Sequence, residues 1–132
     1  MKVQVRYYSR SGNTKVLADA IAKGANVKAV SIDDDNALID EETDILFIGG
    51  ALYAYGLDNK IKKYISELDA NNIKNAIVFS TSWISKHSVD LLKKELAKKN
   101  IDVSEEYIYY KNKPNSNELK EAAETTKKIL EK

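Results

Sequence analysis

Six consecutive residues, Ser9-Arg10-Ser11-Gly12-Asn13-Thr14, bring three hydroxyls, an amide, a guanidinium and a glycine into one short stretch. They follow a β-branched, aromatic run and lead straight into an amphipathic one, so they fall where a strand ends and a helix begins. A helix N-terminus offers unpaired N–H groups and the positive end of the helix dipole, and phosphate is well held there. Hydroxyls add donors, and a glycine lets the backbone come close. An ordinary helix cap needs only one such residue; four of these six are cap-type residues. Other phosphate loops do not fit. A Walker loop needs G-x-x-x-x-G-K-[ST], whereas Lys15 follows Thr14 instead of preceding it, and the three spaced glycines of a dinucleotide fingerprint are missing.

Two further stretches have unusual composition. Gly49-Gly50-Ala51-Leu52-Tyr53-Ala54-Tyr55-Gly56 is built of small residues and aromatics, and four of the chain's five glycines (Gly12, Gly49, Gly50, Gly56) lie in this stretch and the preceding loop. Such use of glycine points to close backbone approach to a ligand. Tyr53 and Tyr55 can stack on a flat ligand or pack internally. The stretch Ser80 to Ser88 holds Ser82, the sole tryptophan Trp83 and the sole histidine His87. Trp83 reads equally as a core residue or as a wall of a binding slot. His87 reads as part of a helix start, because no carboxylate or nucleophile stands at a recognisable spacing from it. Asp33-Asp34-Asp35 reads as a solvated turn and helix cap.

The elements that must position these loops follow from periodicity. Candidate strands are Lys2–Tyr8, Val27–Ile32, Asp44–Ile48, Ala76–Thr81 and Glu106–Tyr110. ILFI and AIVF are continuously apolar, as strands covered on both faces must be. Helical stripes are Leu17, Ala18, Ile21, Ala22, ended by Gly24; Ile61, Tyr64, Ile65, Leu68; Val89, Leu92, Leu96; and Leu119, Ala122, Ala123, Thr126, Leu130. Residues 33–43 leave room for a short helix only. Strand–helix alternation with short connections makes an α/β, largely parallel, doubly wound sheet of five strands and about five helices. Ligands of such sheets sit beyond the carboxyl ends of the strands, where strand order reverses.

Composition narrows the classes. The 132 residues make one domain, spanning 1–132. With no cysteine there is no disulfide scaffold, thiolate metal site or cysteine nucleophile. Against 20 acidic residues stand 21 basic ones, a net charge of +1, which is not the footprint of a nucleic-acid binder. The start is strand-like rather than a signal peptide, and no apolar run is long enough to span a membrane. The expectation is a cytoplasmic protein with no membrane or nucleic-acid partner, and a monomer.

From Val5 to Ile21 the chain resembles the flavodoxin signature, with Tyr7, Ser9, Gly12, Thr14, Ala18 and Ile21 in its defined slots. Arg6 stands where that signature has an apolar residue, and a charge there calls for placement near the strand edge and a carboxylate partner. The small-residue loop with aromatics after the third strand, and the short tail from Glu105 to Leu130, resemble short-chain flavodoxins as well. The resemblance implies strand order 2-1-3-4-5 in a flavodoxin-like three-layer sandwich. It also implies bound FMN and electron transfer between redox partner proteins, a reductase and an acceptor. The FMN-binding residues it implies are Ser9, Arg10, Ser11, Gly12, Asn13 and Thr14 for the phosphate, and Ala51, Leu52, Tyr53, Ala54, Tyr55, Gly56, Ser82 and Trp83 around the ring. A small FMN oxidoreductase of the same fold, of the quinone reductase or protoporphyrinogen oxidase type, is the alternative, suggested by Ala51–Leu57 followed by Lys60, Lys62 and Lys63. A response-regulator receiver shares the strand order, but it would need acidic residues at the ends of strands one and three, where Tyr7-Tyr8 and Gly49-Gly50 stand. The ring-facing stretches, 50–58 and 81–88, hold one carboxylate, Asp58, against Lys86 and His87. Acidic members of the family surround the ring with carboxylates, so a less negative second reduction potential is expected here.

Overall fold

In the computed structural model, residues 1–53, 56–82 and 85–132 are described. Strand β1 (Val3–Tyr7) leads through the hydroxyl-rich loop to helix α1 (Asn13–Ala25), then β2 (Ala29–Ser31) and β3 (Ile45–Gly50). Two-residue strands β4 (Leu52–Tyr53) and β5 (Gly56–Leu57) pair antiparallel before α2 (Asn59–Ser66). The chain ends with β6 (Ala76–Thr81), α3 (His87–Lys98), β7 (Val103–Tyr110) and α4 (Ser116–Leu130). The main sheet has five parallel strands in the order β2-β1-β3-β6-β7. This is the doubly wound order expected from the sequence, with the reversal point between β1 and β3.

Alternation along the central strands divides the core in two. Leu46, Ile48, Ala76 and Val78 face α2 and α3, where Ile61, Ile65, Val89, Leu92 and Leu96 cover them. Val3, Val5, Phe47, Ile77 and Phe79 face α1 and α4, against Leu17, Ile21, Ala122 and Ile129. Each large apolar side chain buried in these layers stabilises the fold by about 1.5–3 kcal/mol. The layers hold the central strands rigid and leave their carboxyl ends to the loops.

Several boundaries differ from the sequence reading. Gly24 does not end α1. A Cβ there would lie 2.4 Å from the Ala123 carbonyl oxygen, so this glycine lets α1 and α4 cross closely. The helix ends instead at Asn26, in the left-handed region at φ 59°, whose N–H returns to the Lys23 carbonyl. Strand β2 is shorter than expected, and β7 begins three residues earlier than Glu106, its register against β6 shifting between Ala76 and Val78. Residues 33–43 form turns and extended chain rather than a short helix.

Arg6 also departs from expectation. It lies in β1, between β2 and β3, only 4% exposed, and no carboxylate pairs with it among the described residues. Its Nε donates to the Ala37 carbonyl at 2.8 Å and its Nη1 to the Val5 carbonyl at 3.1 Å. The Tyr64 hydroxyl donates to the same Ala37 oxygen. Backbone carbonyls, not a carboxylate, receive the guanidinium, and they tie the 33–43 segment to the sheet.

Candidate functional site

At the carboxyl end of β1 the chain turns through Tyr8–Gly12. Gly12 sits at φ 95°, a backbone conformation that L side chains adopt at a cost, and its carbonyl accepts from Val16 N–H to open α1. Ser9 Oγ accepts from Gly12 N–H at 3.0 Å, and Ser11 Oγ accepts from Asn13 N–H at 3.4 Å. Both hydroxyls thereby spend lone pairs on the loop and keep their O–H protons to donate. The N–H groups of Ser11, Thr14 and Lys15 find no acceptor among the described residues. Unpaired amides and hydroxyl protons at a helix start, with the dipole behind them, form a donor set that can hold an anion.

Thr14 has a different part. Its hydroxyl is buried and meets Thr81 Oγ1 at 2.7 Å, tying the start of α1 to the end of β6. The Thr14 amide is free for an anion while its side chain holds the floor. A second buried hydroxyl link runs beneath the loops: Ser80 Oγ donates to the Gly50 carbonyl and shares a 2.6 Å bond with Ser88 at the start of α3. Together these bonds join the ends of β3 and β6 to α1 and α3.

The loop after β3 leans on the Ser9–Thr14 loop. Arg10 N–H donates to Tyr53 Oη at 2.9 Å, and the Arg10 guanidinium lies 3.9 Å from the centre of the Tyr53 ring. Arg10 Nε donates to Asp58 Oδ2 at 3.0 Å, and Nη2 donates to the same oxygen. Asp58 Oδ1 accepts from Lys60 N–H at 2.8 Å, so this buried carboxylate is the cap of α2. The Lys60 amide bond, with the Arg10 guanidinium beside it, holds the Asp58 carboxyl below the usual carboxylate range. Asp58 in turn raises Arg10 above its ordinary value, and burial raises the Tyr53 hydroxyl. Tyr8 packs edge-on to Tyr53, ring centres 6.2 Å apart.

The expected site residues therefore separate into groups. Ser9, Ser11, Gly12, Asn13 and Thr14 gather at the helix start, with Asn13 Nδ2 reaching Asn112 Oδ1 at 3.4 Å across to the turn after β7. Arg10 points to Asp58 and Tyr53, and Tyr53 is engaged by Arg10 and Tyr8. Ala51, Leu52 and Gly56 are half-buried around the β4–β5 pair. Ser82 is buried, its carbonyl taking the Tyr109 hydroxyl. Ala54, Tyr55 and Trp83 lie outside the described residues. His87 is the exposed first residue of α3. Sequence reasoning missed Asp58 as a bridge, though an aspartate directly before an amphipathic run signals a helix cap. The Ser80 to Ser88 stretch stood out in the sequence, but nothing local showed that Thr81 would meet Thr14 or that Ser80 would meet Ser88. A groove of about 640 Å³ between Val16, Ala20 and Gly24 of α1 and Leu119, Ala123 and Lys127 of α4 contains none of these residues.

The family described as Flavodoxin domain matches residues 4–109 of the chain. A flavodoxin from the domain Archaea superposes with a TM-score of 0.81 at 26% identity, over 99% of this chain and 97% of that one. Oxidised flavodoxin 1 from Bacillus cereus superposes at 0.77 with 20% identity, over 99% and 98%. The rubredoxin oxygen:oxidoreductase of Desulfovibrio gigas matches 98% of this chain with 36% of its own, at a TM-score of 0.77 and 17% identity. No curated protein matches the chain by sequence. No helix among the described residues is long and apolar enough to cross a membrane.

Proposed function

This chain belongs to the flavodoxin family, and from that premise we propose that it binds FMN non-covalently and carries electrons between redox partner proteins. The observation that carries the reading is the donor set at the start of α1: unpaired amides of Ser11, Thr14 and Lys15 beside the hydroxyl protons of Ser9 and Ser11. It fits one terminal phosphate, and no second nucleotide-binding element for an adenylate half occurs among the described residues. When bound, FMN supplies the one- and two-electron chemistry, and the chain supplies position and field.

On this reading the phosphate loop grips the cofactor, and the loops after β3 and β6 flank its ring. The buried Thr14–Thr81 and Ser80–Ser88 links keep those loops from drifting apart, so the site is largely formed before the cofactor arrives. The partners would be a reductase and an acceptor that meet the protein at this loop edge.

Fluorescence titration with FMN, riboflavin and FAD tests the assignment. FMN should bind tighter than riboflavin by roughly 100-fold or more, since riboflavin lacks the charge that several donors would meet. Equal affinities for FMN and riboflavin would remove the phosphate-loop assignment. Sustained turnover of a quinone with a reductant would move the reading from carrier to oxidoreductase.

A further inference from the structure

We propose that Arg10 is a positioning residue that clamps the loop after β3 onto the phosphate loop and masks the Asp58 carboxylate from the flavin ring. The masking half rests on the FMN reading above; the clamp does not. Arg10 lies inside the phosphate loop, where a cation would be expected to face the anion. Its groups are used otherwise. Nε and Nη2 are spent on Asp58 Oδ2, the guanidinium face lies on the Tyr53 ring at 3.9 Å, and the backbone N–H goes to Tyr53 Oη at 2.9 Å. Four separate contacts thus run from one residue of the first loop to two residues of the loop after β3.

Asp58 is 9% exposed, lying beside the half-exposed Arg10 side chain that pairs with it. Its other oxygen caps α2 through Lys60 N–H. Cap and ion pair together keep the carboxylate ionised and fixed in place. Stripped of its half-exposed cation, the carboxylate keeps a net negative charge in this loop that solvent screens only in part. It stands in the loop that would flank the ring, so its charge would oppose adding an electron there. Arg10 cancels that field at hydrogen-bond distance. Lysine keeps the charge but lacks the planar fork that holds one carboxylate while lying flat on a ring.

The test uses the full chain with Arg10→Gln, Arg10→Lys, Asp58→Asn and the double variant Arg10→Gln/Asp58→Asn. In thermal unfolding of the flavin-free protein, the double variant should lose less than the sum of the two single losses, because one contact is being removed twice. Strictly additive losses would overturn the clamp. In the FMN-bound protein, Arg10→Gln should make the second one-electron potential more negative. The expected change is roughly tenfold in the equilibrium constant of that step, about 59 mV for a one-electron couple. Adding Asp58→Asn should bring the potential back toward wild type, and Arg10→Lys should fall between. A merely structural Arg10 would lower the melting temperature without that restoration. An unchanged potential in Arg10→Gln would overturn the masking. Should the wild-type chain take up no FMN, the cofactor reading falls and the masking with it, while the thermal cycle still decides the clamp.

Discussion

The two ends of the parallel sheet treat their backbone groups in opposite ways. At the amino ends the connections close on one another. Thr43 N–H reaches the Asn72 carbonyl at 2.7 Å, Lys74 N–H returns to Thr43, Asp44 N–H goes to Lys2, and Ala76 N–H to Asp102. Asp44 completes the closure by accepting from Lys2 N–H at 2.7 Å and pairing with Lys74 at 3.3 Å. At the carboxyl ends, backbone bonds from Tyr8 to Gly49 and from Ile32 to Tyr7 are joined by side-chain braces: Ser9 and Ser11 hold their own loop, Thr14 meets Thr81, and Arg10 holds Asp58. Amides at the start of α1 are left over. Where side chains share the bracing, the amides at the helix start can stay free among the described residues. The contrast leaves free donors at one end only of the buried central strands β1, β3 and β6.

The floor beneath the open edge gives the largest expected effect. A Cβ at Gly49 would lie 2.3 Å from ring atoms of the fully buried Phe79. Gly49→Ala should therefore cost about 3 kcal/mol of stability by overpacking, read as a lower urea midpoint. Unchanged stability would mean that the floor is softer than its packing implies. Next, Thr14→Val should cost about 2 kcal/mol by leaving the Thr81 hydroxyl unpartnered in the interior. Adding Thr81→Val should restore much of the loss, since an apolar pair of similar shape needs no partner. If the double variant is worse than the single one, the link is not a simple hydroxyl pair.

Smaller effects sharpen the contrast between the edges. Ser11→Ala should weaken FMN binding by about 1.5 kcal/mol and leave riboflavin binding unchanged, as measured by titration. Equal weakening of both ligands would place the damage in the loop's fold rather than in a phosphate contact. Gly12→Ala should cost about 1 kcal/mol of stability from the left-handed backbone alone, because a Cβ there meets nothing within 4 Å.

The smallest effect belongs to the closed edge. The Lys2 amide and then Lys74 hold the Asp44 carboxyl below its ordinary value. Its stabilising contribution is therefore present above the ordinary aspartate range, near pH 3.9, and fades as the pH falls through the lower folded value. Asp44→Asn should melt slightly earlier than wild type at neutral pH, with the difference closing in acid, and should leave FMN affinity unchanged. A pH-independent gap would assign the loss to something other than the charge.

The alternating and continuous apolar runs, and the caps around them, determined the five strands of the main sheet, the four α-helices and the α/β class from the sequence alone. They did not determine the short β4–β5 pair, and they misassigned a helix to residues 33–43. The turn of residues 9–14 was equally legible as the start of a helix, because such a start is made of neighbouring residues and their own amides. Even there, Gly24 misled: it resembles a stop signal, but its lack of a side chain serves the packing of α1 on Ala123. Only the tertiary structure decided that Arg10 turns to Asp58, 48 residues away, that Thr14 meets Thr81 across 67, and that Arg6 is received by the Ala37 carbonyl across 31. Local sequence encodes hydrogen bonds that close within a turn or a helix. Which distant polar group meets which is set by the order of strands in the sheet, since that order brings the ends of β1, β3 and β6 side by side and buries the groups that must then find partners.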